Sequence, residues 1–273
     1  MLKAFFLIVI LISVLWFFLR VLEQNAIFYP YKKIELTPRD LGMNYEDVYI
    51  KTDDNVKLNG WFIPVKDKAK RKTAITILYL HGNAGNISHR VEIAKVFNEY
   101  DYNFFIVDYR GFGKSNGIPS EKGTYRDALA AYNYLITRED INPEKIVLYG
   151  QSLGGAIAID LATKVKIAAI ITEASLSSTI AVAKNVYPFL PLGLMMTQKF
   201  DALSKVDKIT APKLFIHSMD DEIVSFSQGE ELFKKAKEPK EFMLARGGHN
   251  SSFFIYTDEY IKRIKIFLKN HLR

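Results

Sequence analysis

The segment Gly150-Gln151-Ser152-Leu153-Gly154 sets a serine midway between two glycines, after the apolar run 146–149 and at the head of a helical pattern. A serine on so sharp a strand-to-helix turn is held at strained backbone angles with its hydroxyl exposed, and the glycines let strand and helix pass closely. The helix N-terminus then directs free N–H groups and the positive end of its dipole at a developing oxyanion. The chemistry this pattern suggests is nucleophilic attack on a carbonyl carbon.

A serine hydroxyl is a weak nucleophile without a base. Five histidines are present, and in this elbow arrangement the chain order is serine, acid, histidine. Only His249 and His271 come late enough. His271 stands near the C-terminus on an amphipathic helical pattern and reads as a surface residue. His249 lies in Arg246-Gly247-Gly248-His249-Asn250, past the last strand pattern, where a loop can hold an imidazole over the sheet edge. His217, at a strand end, reads as a packing residue or a local hydrogen-bond partner.

The acid is expected from Met219-Asp220-Asp221-Glu222, which follows the run 214–217. Only the carboxylate aimed at the ring would fix the histidine tautomer and stabilise the imidazolium. Pattern alone leaves Asp220 and Asp221 open, with Glu173 as a substitute at the end of the preceding strand pattern. The second oxyanion donor is expected from His81-Gly82-Asn83-Ala84-Gly85-Asn86. There the backbone N–H of Asn83 leads and Ala84 follows, while Leu153 supplies the other donor. The same glycines would also suit a plain tight turn, and His81 reads as a residue that pins the loop.

The elements that must position these groups follow from periodicity. Strand patterns cover residues 45–52, 58–65, 74–80, 103–107, 146–149, 167–172, 214–217 and 241–244. Helical patterns cover 88–100, 124–137, 153–164, 228–237 and 258–271. Short apolar strands alternating with helices predict an α/β fold, a mostly parallel sheet covered on both faces. Residues 175–210 interrupt this rhythm and are too long for an ordinary connection. They are expected to form a small lid or cap, with the apolar stretch 187–196 serving either as an acyl-binding surface or as ordinary packing.

The chain has 273 residues, 25% charged and 49% hydrophobic, with a net charge of +7 and no cysteine. This composition excludes wholesale disorder, a disulfide frame, thiolate metal sites and a cysteine nucleophile. Neither a metal cluster nor a nucleic-acid module is recognisable, and no cofactor is expected. The basic run 66–72 reads as a solvated loop that could touch anionic head groups. Hydrophobicity is concentrated at the start, where residues 4–19 carry no charge and would span about 24 Å as a helix. Snorkelling by Lys3 and Arg20, and continuation through Val21 and Leu22, bring this near the thickness of a bilayer core, about 30 Å. Bulky residues stand where a signal peptidase would need small ones, so an uncleaved signal anchor over 1–22 is expected. Residues 23–42, with two prolines and no clear periodicity, read as a linker or lead-in to a catalytic domain over 43–273. Arg20, Lys32, Lys33 and Arg39 favour a cytoplasmic domain by the positive-inside rule. Long domains translocate largely regardless of such charges, however, and an extracytoplasmic domain is the expectation.

Several stretches together resemble the α/β-hydrolase superfamily, and within it the membrane-anchored group of bud-emergence-related hydrolases and their bacterial relatives. They are LHGNAGN at 80–86, VDYRGFGKSNGIPS at 107–120, YGQSLGGAIAI at 149–159, DEIV at 221–224 and GGHN at 247–250. The resemblance implies an α/β-hydrolase fold, a serine hydrolase activity and an N-terminal membrane anchor. Laid on residues 217–224, the family pattern H-G-x-x-D-x-x-V selects Asp221 as the acid, with Ser218 where the family usually has glycine. The expected function is therefore cleavage of carboxylic acyl esters or thioesters by Ser152, His249 and Asp221, with membrane lipid as a partner of the N-terminal helix. A peptidase or amidase with the same triad, and a membrane-tethered binding protein with an inactive hydrolase fold, are the rival readings.

Overall fold

A computed structural model of the chain describes residues 2–272. Met1 and Arg273, the outermost residues of the expected anchor and catalytic domain, lie outside the described residues. The strands of the main sheet are β1 (Glu46–Lys51), β2 (Lys57–Ile63), β3 (Thr76–Leu80), β4 (Asn103–Val107), β5 (Ile146–Gln151), β6 (Ala169–Glu173), β7 (Lys213–Ser218) and β8 (Lys240–Ala245). Their spatial order is 1-2-4-3-5-6-7-8. The pairs β1–β2 and β2–β4 are antiparallel, and the remaining neighbours are parallel.

Period-two alternation divides the core in two. Leu78, Leu80, Phe105, Leu148, Ile170 and Phe215 face one layer of helices, while Ile77, Tyr79, Phe104, Val147, Ile171 and Leu214 face the other. The first layer contains α3 (Glu121–Ile136), α4 (Leu153–Ala162) and α7 (Phe226–Lys235). The second contains α2 (Val91–Glu99) and α9 (Thr257–His271), preceded by the single turn α8 (Ser252–Ile255). Every residue of β3 and β5 is buried, as strands covered on both faces require. All ten residues of α4 are buried too, which explains why its sequence is apolar around the whole circumference.

Between β6 and β7 the expected insertion forms α5 (Thr179–Val186) and the short α6 (Leu192–Met195). The N-terminal helix α1 (Leu2–Ile27) has 26 residues, about 39 Å, and is long and apolar enough to cross a membrane. It continues past Leu22, and the lead-in that follows packs on the domain: Ile27 and Phe28 are buried, and the Phe28 ring meets Phe200 edge-on at 6.0 Å. Residues Tyr29–Pro30 pair in parallel with Ala84–Gly85 in a separate two-stranded ladder.

The turn after β4 props the loop after β3. Tyr109 donates its hydroxyl to the His81 carbonyl at 3.1 Å, and its ring centroid lies 4.3 Å from that of His81. This turn is fixed in its place by Arg110, whose guanidinium contacts Asp127 at 2.8 Å and Asp54 at 2.9 Å. The Asp127 side chain has no solvent exposure. Replacing Arg110 with alanine would strand that carboxylate, so Arg110→Ala is expected to cost about 3–5 kcal/mol in equilibrium urea unfolding. Adding Asp127→Asn to that variant is expected to restore part of the loss.

Candidate active site

The parallel strands deliver the expected residues to one edge of the sheet, at their carboxyl ends. Ser152 follows β5 and stands at the N-cap of α4 with φ 55° and ψ −120°, a conformation that non-glycine residues rarely adopt. Glycine is required on either side by close approach. A Cβ on Gly150 would lie 2.4 Å from the Gly154 carbonyl oxygen, and one on Gly154 would lie 1.9 Å from that of Leu80. The elbow therefore exists only because strand, helix and the end of β3 come nearly into backbone contact.

His249 Nε2 lies 3.0 Å from Ser152 Oγ, and His249 Nδ1 lies 2.8 Å from Asp221 Oδ2. Of the two open candidates, then, Asp221 meets the ring. Asp220 instead accepts from the Gly247 N–H at 3.0 Å and is exposed beside Arg246. Burial opposes ionisation of Asp221, yet the hydrogen bond and charge of His249, with the N–H groups of Val224 and Ile223, outweigh it. The carboxyl is held below its usual value. With Asp221 ionised, Nδ1 carries the proton and Nε2 is left free to accept one from Ser152.

Several further contacts fix the His249 loop, and these were not foreseen. Glu222 accepts from the His249 N–H at 3.0 Å. Ser218, where the family pattern has glycine, donates to the Gly247 carbonyl at 2.5 Å and accepts from the Asp220 N–H at 3.1 Å. The departure from the pattern thus ties the acid turn to the base loop. Only the unusual serine signalled this in the sequence.

The other candidates settle into supporting positions. Glu173 is buried and accepts from the Tyr149 hydroxyl at 2.7 Å, with no hydrogen bond to His249. His217 donates through Nε2 to the Val224 carbonyl at 2.9 Å, and burial lowers its proton affinity. His81 donates through Nδ1 to the Gly82 carbonyl at 2.7 Å, and burial drives its pKa down to about 3, so the ring is neutral. His271 contacts Glu241 at 2.9 Å on the far edge of the sheet.

Asn83 and Leu153 both line the cavity that opens on Ser152. Among the described residues the backbone N–H of neither makes a hydrogen bond within the protein. The Asn83 carbonyl accepts from the Tyr29 N–H at 2.9 Å, and the Asn83 side-chain amide donates to the Ile27 carbonyl at 2.8 Å. The lead-in behind α1 therefore holds the loop that carries the expected oxyanion donor.

A family model for the alpha/beta hydrolase fold matches residues 75–208, which span the elbow and the loop after β3. Protein bem46 of Schizosaccharomyces pombe is 37% identical over 72% of this chain and 67% of its own length. The chain belongs to the α/β-hydrolase family. Within that family it is a member of the bem46-like group. The hydrolase is also 33% identical to YfhR of Escherichia coli K12, over 77% of this chain and 74% of that one. Among solved structures, the esterase Pf2001 of Pyrococcus furiosus superposes with a TM-score of 0.73 at 25% identity, covering 90% of this chain and all of that one. The hydrolase is thus similar in fold to an esterase.

Burial raises the Glu173 pKa from 4.5 to about 7, against the opposing pull of the Tyr149 hydrogen bond and the His249 charge. Between those two values the folded hydrolase holds a proton that the unfolded chain has released, so this group makes stability fall as pH rises through the interval. Glu173→Gln removes the dependence. The variant is expected to match the parent below pH 4.5 and to exceed it by up to about 3 kcal/mol above pH 7, measured by denaturant titration at each pH.

Proposed function

We propose that the protein is a membrane-anchored serine hydrolase that cleaves carboxylic acyl esters or thioesters through an acyl-enzyme. The observation that carries this reading is the continuous hydrogen-bonded path from Ser152 Oγ through the His249 ring to Asp221. Ser152 attacks the acyl carbonyl while His249 takes its proton through Nε2. Asp221 keeps the proton on Nδ1 and stabilises the imidazolium that forms. The N–H groups of Asn83 and Leu153 receive the oxyanion, and the dipole of α4 adds to their field. His249 then delivers its proton to the leaving alkoxide or thiolate, and water returns the enzyme by the same steps in reverse.

The assignment of the acyl group, in preference to an amide, is supported by the apolar cavity beside Ser152 and by the resemblance to an esterase in fold. On this reading residues 1–22 form a signal anchor, 43–273 the catalytic domain and 175–210 its lid. The catalytic domain lies on the extracytoplasmic side. The length and uninterrupted apolarity of α1 support the anchor.

Ser152→Ala is expected to abolish fluorophosphonate labelling and to lower ester turnover by as much as about 10⁶-fold, since the three residues act as a unit. Labelling or turnover that survives the substitution would refute the reading. Asp221→Asn is expected to lower kcat by roughly 10⁴-fold, through the wrong histidine tautomer. Asp220→Asn, which meets the Gly247 N–H and Arg246 but not the His249 ring, is expected to have a mild effect in the same p-nitrophenyl ester assay.

A further inference from the structure

The cavity at Ser152 has a volume of about 610 Å³, within the range of pockets that enclose small molecules. Its walls come from two places. On one side stand Ser152, Leu153 and the lid residues Val182, Val186 and Leu190; on the other stands the membrane helix itself, with Leu19, Leu22, Ala26 and Ile27. The same helix that would cross the bilayer is therefore a wall of the substrate cavity.

The charged residues of α1 near the cavity are committed to holding the lid. Arg20 pairs with Glu23 at 2.6 Å, donates to the Thr197 hydroxyl at 2.6 Å and also donates to the Met195 carbonyl. Glu23 accepts the backbone N–H groups of Thr197 and Gln198 at 2.7 and 2.9 Å. The remaining lining of the cavity is largely apolar, as a hydrocarbon chain would require.

Depth follows from helix geometry. Residues 2–19 of α1 rise about 27 Å, close to the full hydrocarbon core of about 30 Å. Residues 19–27, six of which line the cavity, then emerge at the level where the ester groups of bilayer lipids lie. Trp16 precedes them near the end of the core, one turn from the interface where tryptophan is enriched. Beside this point the lid presents Phe189 and Leu194, 96% and 90% exposed, with Val186 and Tyr187 also exposed. Such a cluster marks an interaction surface, and its strap to α1 makes it continuous with the membrane-spanning face.

We infer that the substrate is an acyl ester resident in the bilayer, a glycerolipid whose acyl chain enters laterally between α1 and the lid. This inference rests on the assignment of Ser152 as nucleophile. The bond from Ser152 Oγ to the acyl carbon forms as the ester C–O bond to glycerol breaks, and the glycerol oxygen takes its proton from His249. Water then cleaves the acyl-enzyme, releasing a fatty acid and restoring the serine hydroxyl.

The test uses the full chain reconstituted in phosphatidylcholine–phosphatidylglycerol vesicles, with fatty-acid release from the vesicle lipid and hydrolysis of p-nitrophenyl acetate measured side by side. Ala26 is exposed on α1 at the cavity wall. Ala26→Trp is expected to lower the ratio of lipid to acetate turnover by about tenfold or more. Val14→Trp, on the same helix away from the cavity, should leave the ratio as it was. Where the tryptophan variant is inactive on both substrates, Ala26→Leu decides by the same ratio. Acetate hydrolysis without fatty-acid release, or a ratio unaltered at Ala26, would overturn the inference while leaving the Ser152 assignment standing. Parent vesicles inert toward both substrates would overturn both.

Discussion

The contact of Gly154 with the carbonyl oxygens of Leu80 and His81 sets the spacing on which the site depends. An added Cβ would lie 1.9 and 2.6 Å from those two oxygens. Because α4 begins that close to the end of β3, Leu153 and the loop that carries Asn83 face a common space above Ser152. The left-handed backbone of Ser152 is the local cost of the approach, of order 1–3 kcal/mol, and the buried strands and helix around it offset that cost. Neighbouring parts then follow. The turn after β4 supports His81, and the lead-in behind α1 holds Asn83 from the other side.

Much of this was legible in the sequence, for identifiable reasons. The fully buried strands β3, β4 and β5 appear as continuous apolar runs, so their positions were read within a residue or two. His249 emerged by elimination, because chain order left few histidines, and its glycine-rich loop set it apart from His271. Asp221 and Asp220 could not be separated by residue type, since adjacent residues in a turn differ only in direction. That direction is set by the N–H groups of Ile223 and Val224, which bond Asp221 at 2.9 and 2.8 Å. The family pattern carried this information when the local residues did not.

What escaped was the inward side of the N-terminal helix. Its composition is apolar all round, so periodicity marks no face, and Arg20 read as a snorkelling residue. In the structure Arg20 turns to the insertion between β6 and β7 and Glu23 joins it, an arrangement that depends on partners at residues 195–198, remote in sequence. The segment behind the helix was equally silent. Tyr29 and Pro30 form a ladder too short to leave a strand pattern, although the cluster Ile27-Phe28-Tyr29 is more apolar than a free linker needs.

The bond from the Asn83 side-chain amide to the carbonyl of Ile27, the last residue of α1, has a practical consequence for anyone preparing this hydrolase. Excising the apolar helix to obtain a soluble fragment is a routine step, and a cut at the end of α1 would leave Ser152, His249 and Asp221 all in place. It would instead remove the Ile27 carbonyl that holds the Asn83 side chain, open one flank of the cavity at Ser152 and release residues 195–198 from Arg20 and Glu23. Turnover by such a fragment would describe a differently shaped enzyme, and its substrate preferences would not transfer to the intact chain.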